Sequence, residues 1–489
     1  MRSLKSLIFL LSAICLSILS SSNTFVSATT AGVAMAMDVE IFNQLKSYGM
    51  PAMITMINDL DMGKMEFSQG YVDDVKFNLK IQDMDTIKMS FSGEDNAIIM
   101  KAEDISGSVS GTFKFTMLFI TASGKFNVRV DQGGCTMGTK MPFIIQNQDG
   151  RNIPGIDVVD FEFEINSSKI HIDLSGGFIA DIADPFIAIF KSLIIGKMNS
   201  SVRSAIPEMM KKKLNTKFAN TQGLVHFKGD LFGDFTFTSP AVITDTTLAM
   251  YLNGTIFDQK LGQYRIPQET STDVEVQTTS SNTMQMSVSP YSADSILVSM
   301  HDTGLFDYVI TKETVPGLAN ILTTNYMDGL LPGIVAKYGR DQEVTIEMKA
   351  TQAPRTEFKL NDLGMFMNLD LTFRVNQEVA IIVTLTDLKA NVKPMLIGAN
   401  FTAQIYTIKI DECSATQSQI GDFDGEGFRD FFNVSVRIAI PFLNEIYMKK
   451  KAIVMPDTFM GFIKVKSATF SSQDGFLAVT VYPKITDEE

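Results

Sequence analysis

The stretches NSSVRSAIP (Asn199 to Pro207) and NVSVRIAIP (Asn433 to Pro441) agree at seven of nine positions and lie 234 residues apart in a chain of 489. A repeat offset close to half the length is a repeat of whole domains, not of a short solenoid unit. Each copy stands inside a segment with apolar residues at helical spacing. In each, an Asn and an Arg four positions on, Asn199 with Arg203 and Asn433 with Arg437, share one polar face. The chain is therefore read as a duplication, with a long helix at the same place in each half.

The first of these helices opens at Asp184, a good N-cap, followed by Pro185, a good first-turn residue. Ile195, Met198, Val202, Ile206 and Met209 fall on one face, and Lys197, Ser201, Arg203 and Glu208 on others. Pro207 is expected to kink it. The second, Phe428 to Lys451, is more apolar and is expected to be the more deeply covered. Both run on to a lysine triplet, Lys211 to Lys213 and Lys449 to Lys451, read as C-terminal charge favourable to the helix dipole. A third helix is expected over Val39 to Leu60 with Pro51 inside, and a shorter helical pair around VPGLANIL and GLLPGIVAKY.

Most of the remaining chain alternates apolar and polar residues. VKFNLKI (Val75 to Ile81), TFKFTMLF (Thr112 to Phe119), FEFEI (Phe161 to Ile165), KIHIDL (Lys169 to Leu174), LDLTFRV (Leu369 to Val375) and IYTIKI (Ile405 to Ile410) predict strands with one buried and one wet face. Long antiparallel meanders are the economical arrangement. The polar, Thr- and Ser-rich run from Asp258 to Thr283 reads as a linker. It leaves a first domain at 29–257 and a second at 284–489.

Residues 1–28 read as a secretory signal peptide: Arg2 and Lys5, an apolar run from Leu7 to Leu19, then the small-residue site Val26-Ser27-Ala28. A secreted or secretory-lumen protein is expected. Sequons at Asn166, Asn199, Asn253, Asn400 and Asn433 fit that route as candidate glycosylation sites. Beyond Cys15 in the leader, only Cys135 and Cys413 remain, one per half, and sequence does not show whether they pair.

The formal net charge is −13. The acidity is spread over both halves, about −6 for residues 29–255 and about −9 beyond, which argues against nucleic acid and against strong adsorption to anionic surfaces. An enzyme reading fails on inventory: His171, His226 and His301 are scattered, and GSVSG (Gly107 to Gly111) has Val109 where a nucleophile elbow needs Ser. No metal or cofactor is called for. DFDGEGFRDFFN places Asp422, Asp424, Glu426 and Asp430 in calcium-loop spacing, but Asn433 stands where the bidentate Glu belongs. It is read as a polar loop that places negative charge ahead of the following helix.

The order of these elements resembles the bactericidal/permeability-increasing and lipopolysaccharide-binding protein family, with the related plasma lipid-transfer proteins. The resemblance covers nearly all of the chain after the leader. It rests on the early helix and meander, GKMNSSV, SPAVITDTTLAMYLNGTIFD, MSVSPYSADSILVSMHDTGLFDYVI, LTTNYMDGLLPGIVAKYGRDQEVTIEMKATQAP, and the closing IPFLNEIYMKKKAIVMPDTFMGFIKVKSATFSSQDGFLAVTVY. It implies an α+β fold of two tandem barrel-and-helix domains, each a highly twisted antiparallel sheet around a long helix, joined by a central sheet. It further implies an apolar slot for acyl chains in each domain. Two departures stand out. The family's first-domain disulfide has no counterpart, because Arg203 occupies the matching helix position and Asp157 to Asp160 holds no cysteine. The expected first-domain tip, Asn58 to Asn96, carries nine carboxylates and four lysines where endotoxin-binding members are cationic.

The expected function is binding of phospholipid-like, two-chain lipid by a monomer in transient contact with membranes or lipid particles, by hydrophobic transfer and without covalent chemistry. The 29 methionines and 36 phenylalanines suit a pliable apolar wall. Candidate wall residues are Phe42, Leu45, Ile54, Phe190, Ile194, Met198, Val202 and Ile206 in the first half. In the second they are Leu318, Leu322, Phe432, Val436, Ile440 and Leu443. The alternative is an innate-immune recogniser of lipopolysaccharide or other bacterial envelope lipid.

Overall fold

Strand Val33–Asp38 lies antiparallel beside strand Met284–Val288 at the centre of a six-stranded sheet, with Met35 opposite Met286. Outside the first strand sits the hairpin Phe237–Ile243 and Thr247–Leu252; outside the second sits the hairpin Ile463–Gln473 and Phe476–Ile485. Each half thus contributes its opening strand and its closing hairpin, in mirrored order. The duplication seen in the twin nonapeptides is written into the sheet as an approximate twofold about Met35 and Met286. Every residue of Val33–Asp38 is buried, so its near-continuous apolar run VAMAMD is that of a strand covered on both faces. The structure, a computed structural model, describes residues 31–44, 46–117, 120–177, 183–221, 223–226, 230–261, 274, 282–397, 400–450, 453–454 and 463–485. The leader, Leu45 and most of the linker lie outside them.

A curled antiparallel sheet fills out each half. In the first, Met65–Phe67, Gly70–Ile81, Ala97–Met117, Ile120–Gln148 and Arg151–Ile156 follow one another. Lys88–Ser92 adds to the third of these, and Val159–Ile165 and Ile170–Gly177 to the fourth. The 21 and 29 residues of the two longest strands are possible because bulges break their register near Ile105 and Gly107. A bulge bends a strand and strengthens its twist, so one strand serves two stretches of sheet. Gly107, at φ +147°, is needed there, since a Cβ would stand 2.1 Å from the Asn78 carbonyl oxygen. Val109, the centre of the elbow-like GSVSG, points into the core.

In the second half the order is Tyr308–Ile310, Val344–Ala350, Asp362–Val375, Glu378–Ile397, Asn400–Lys409 and Ile453–Val454. Arg355–Lys359 flanks the third, and Glu412–Ser418 the fourth. Strand Asp362–Val375 alternates buried and half-buried residues along most of its length, as its sequence predicts. Helix Pro290–Asp302, capped by Ser289 with Pro290 in the first turn, follows the central strand. It carries a three-stranded sheet made from the first half, Leu224–His226, Leu231–Asp234 and Thr255–Asp258. Ser295 Oγ accepts from Ile256 N, and the Tyr291 and Thr255 hydroxyls lie 2.6 Å apart.

The two long helices are Ala183–Thr221 and Gly425–Lys450. Each continues through its proline, Pro207 or Pro441. The first lysine triplet is not at a helix end, because the helix continues to Thr221; Lys211 instead pairs with Asp157 at 2.9 Å. The expected helix over Val39 to Leu60 is helical over Val39–Gln44 and Lys46–Asn58, on either side of Leu45, and near VPGLANIL and GLLPGIVAKY stand a 3-10 turn, Pro316–Leu318, and two short α-helices, Thr324–Met327 and Ile334–Tyr338. Cys135 and Cys413 are both free; burial pushes the Cys135 thiol up, and Cys413 Sγ donates to the Gly425 carbonyl oxygen.

Candidate functional site

Each long helix lies in the concave side of its curled sheet, and sequence spacing explains the fit. Ile194, Met198, Val202, Ile206, Met210, Leu214 and Phe218 recur at strict four-residue intervals, and all are within 1 % of full burial. At 3.6 residues per turn each such step advances the stripe by about 40°, or about 240° over the run. A stripe that winds this far around the helix is buried only if the sheet wraps it. The second helix repeats the start of the pattern with Phe428, Phe432, Val436 and Ile440, then breaks it with Asn444.

Asparagine amides fasten the helices to the strand backbones. Asn199 Oδ1 accepts from Ile165 N, and Asn433 both accepts from Ile410 N and donates to its carbonyl oxygen. Asn215 and Asn444 make the same two-way bond to Ile156 and Ile405. Arg203 Nε donates to the Phe163 carbonyl oxygen. These contacts were not anticipated; the polar Asn–Arg face of the nonapeptide was the signal for them.

The candidate wall residues of both halves lie in or against one continuous buried apolar cluster, with qualifications. Phe42, Ile54, Ile194, Met198, Val202 and Ile206 belong to one buried apolar cluster, whereas Leu45 lies outside the described residues and Phe190 has no described side chain. In the second half Leu318, Leu322 and Val436 are buried, while Phe432, Ile440 and Leu443 are only partly so. Gly317, beside Leu318, packs on the second helix: a Cβ there would stand 2.2 Å from the Phe442 ring. Phe423, Phe428, Phe432 and Phe373 form a chain of ring contacts at the start of the second helix.

The second helix is thus the less covered of the two, opposite to the expectation from its composition. Its added apolar residues are on the outside. The nonapeptides differ only where Ser200 and Ser204 become Val434 and Ile438, and these are 69 % and 55 % exposed. Apolar content therefore did not report depth.

The acidic loop preceding the second helix caps it, with Asp424 Oδ1 accepting from Gly427 N. Among the sequons, Asn166 is exposed and caps a short turn, Asn253 is buried, and the amides of Asn199 and Asn433 are engaged as above. The side chain of Asn400 lies outside the described residues. In the segment Asn58 to Asn96, Lys64 pairs with Glu66, and Lys88 with Glu103 beyond it.

Two curled antiparallel sheets, each enclosing one long helix and sharing a central sheet, define a tandem barrel-and-helix α+β protein. The chain belongs to the LBP / BPI / CETP family: the family's C-terminal domain description matches residues 229–485. That match begins within the small sheet that packs on helix Pro290–Asp302, between its strands Leu224–His226 and Leu231–Asp234. No curated protein sequence matches. A crystal structure of lipopolysaccharide binding protein superposes with a TM-score of 0.52 at 15 % identity, covering 94 % of this chain and 100 % of that one. P47 of Clostridium botulinum E1 aligns over 94 % of this chain and 100 % of that one, with a TM-score of 0.30 at 12 % identity.

Proposed function

We propose that this chain is a secreted lipid-binding protein that shields the acyl chains of phospholipid-like, two-chain amphiphiles between a long helix and its curled sheet. The single observation that carries this reading is the apolar face of the second long helix, where Phe432, Ile440 and Leu443 stay only partly buried against a curled sheet, in a chain of this family. Nothing more than removal of apolar surface from water drives such binding, at about 25 cal/mol per Å². Wall residues of the Phe, Met, Ile and Leu type accept varied chains. Contact with a membrane or lipid particle is transient, long enough for a chain to cross, and the protein works as a monomer without catalysis. The test is native mass spectrometry of protein secreted from a eukaryotic host and purified without detergent. Co-purifying two-chain lipid supports the reading; lipid-free protein that takes up no fluorescent phosphatidylcholine from vesicles refutes it.

The alternative, recognition of lipopolysaccharide, draws on the fold shared with lipopolysaccharide binding protein. The acidic segment Asn58 to Asn96 weighs against it, because a polyanionic headgroup is repelled on approach.

A further inference from the structure

We infer that two equivalent carboxylates, Asp245 and Asp474, latch the curled sheets to the central sheet, and that release of these latches admits lipid to the interior. The inference rests on the lipid-binding reading above and names its point of entry. Among the described residues, no strand of either curled sheet is paired with a strand of the central sheet. At the outer edges of the central sheet they are joined instead by a contact between two hairpin turns, made once in each half.

In the first half the turn between Lys88–Ser92 and Ala97–Met117 meets the turn between Phe237–Ile243 and Thr247–Leu252. Gly93 N donates to Asp245 Oδ1 at 2.8 Å. Asn96, which closes the first of these turns, accepts from Ile243 N and donates to the Ala241 carbonyl oxygen. In the second half the turn between Arg355–Lys359 and Asp362–Val375 meets the turn between Ile463–Gln473 and Phe476–Ile485. Leu360 N donates to Asp474 Oδ1 at 2.9 Å, and Asn361 N to the Ser472 carbonyl oxygen. The correspondence holds position by position. The donor to the carboxylate is the first residue after its strand in both halves, Gly93 and Leu360. The last residue of each donor turn is an asparagine at positive φ, 49° for Asn96 and 59° for Asn361, a conformation that Asn tolerates. One turn has four residues, Gly93–Asn96, and the other two, Leu360–Asn361. The same carboxylate-to-amide contact formed by turns of different length and sequence points to a role, not to a chance touch.

The latches are placed to open. Gly93, Asp245, Leu360 and Asp474 are all exposed, so water competes for both carboxylate bonds and breaking one exchanges it for another. The strands that carry the turns bury apolar side chains just behind them: Phe91, Ile98 and Ile243 in the first half, Phe358, Leu363 and Leu477 in the second. The Phe91 ring meets Phe42 edge to face, with centroids 5.0 Å apart, so the first seam leads to a residue of the candidate wall. A seam of this kind is polar at its rim and apolar within. Local openings break water-facing contacts first and leave the core strands paired. Parting the turns therefore gives an acyl chain a way in while both sheets stay intact.

The experiment uses the full-length secreted protein and vesicles of self-quenched fluorescent phosphatidylcholine, and reads the initial rate of lipid uptake. Asp245→Ala and Asp474→Ala should each raise that rate at least threefold with final loading unchanged, folding being checked by circular dichroism. A Cβ on Gly93 would stand 3.4 Å from Thr244 Cα, so Gly93→Cys combined with Thr244→Cys brings two thiols within disulfide reach across the first seam. The oxidised form of this double variant should take up lipid about twofold more slowly, losing the first half's share, and reductant should restore the rate. A contact that only stabilises the fold would move the melting temperature and leave these rates alone. Wild-type rates in both folded Ala variants, or an oxidised double variant as fast as its reduced form, would overturn the inference while leaving lipid binding intact. A wild-type protein that takes up no lipid would instead bring down the broader reading, and this inference with it.

Discussion

Asn199 and Asn433, equivalent residues of the two halves, make equivalent bonds: the Oδ1 of each accepts the backbone N–H of an isoleucine on the neighbouring strand, Ile165 at 3.1 Å and Ile410 at 3.0 Å. The asparagine retained in both nonapeptides is thereby a clip between helix and sheet. Asn433→Ala leaves both the N–H and the carbonyl of Ile410 without that partner, and should cost about 1–3 kcal/mol. Asn199→Ala loses one bond and should cost less. Urea denaturation of both variants checks the order.

The same clips bear on modification. The amide nitrogen of Asn433 is donated to the Ile410 carbonyl oxygen, and Asn253 is 3 % exposed with its Oδ1 accepting from Thr255 N. Asn166 is exposed on a short turn. Glycopeptide mass spectrometry of secreted protein should find glycan at Asn166 and none at Asn199, Asn253 or Asn433. Full occupancy at Asn433 would contradict the clip.

Acid should loosen the first long helix. The Lys211 ammonium hydrogen-bonded to Asp157 holds that carboxyl below the usual carboxylate range. A folded-state pKa that is depressed contributes stability above the unfolded value, near 4, and loses it as pH falls through the folded value. The pair is partly exposed, so the effect is small and screened by salt. In Lys211→Met the fall in stability below pH 4 should be shallower than in the wild type, as read from thermal melts across pH 2 to 6.

A carboxylate at the twin valines should be felt unequally. Val202→Asp places an uncompensated charge in a sealed interior and should cost about 3–5 kcal/mol. Val436→Asp faces a partly open wall that admits water and should cost visibly less. Equal losses in denaturant midpoint would mean that the two helix faces are equally closed.

Val434 and Ile438 offer the complementary test. Restoring the first half's residues with Val434→Ser and Ile438→Ser should change stability by no more than about 0.5 kcal/mol each, because neither side chain is covered. Binding of a hydrophobic dye should fall in the double variant.

Much of this fold was legible. The duplication, the alternating strands and the place of both long helices follow from periodicity that each segment carries within itself. What was not legible depends on partners distant in sequence. VRSAI and VRIAI are nearly the same string, yet Ile206 is completely buried and Ile440 is not, because different strands lie over them. Lys211 to Lys213 read as a helix end, but the helix continues to Thr221 and its apolar stripe goes on through Met210, Leu214 and Phe218. The second helix's extra apolar residues, counted as depth, are surface.

The central sheet sets a condition on the order of events during synthesis. Strand Met284–Val288 pairs on one side with Val33–Asp38 and on the other with Phe476–Ile485, each far from it along the chain and the latter synthesised well after it. Until that hairpin arrives, one edge of the strand has open N–H and carbonyl groups, a template for pairing with another chain. Contacts of such long sequence separation also form slowly. A truncated or prematurely terminated chain would therefore be adhesive as well as incomplete, and its two halves, although built alike, cannot mature independently of one another.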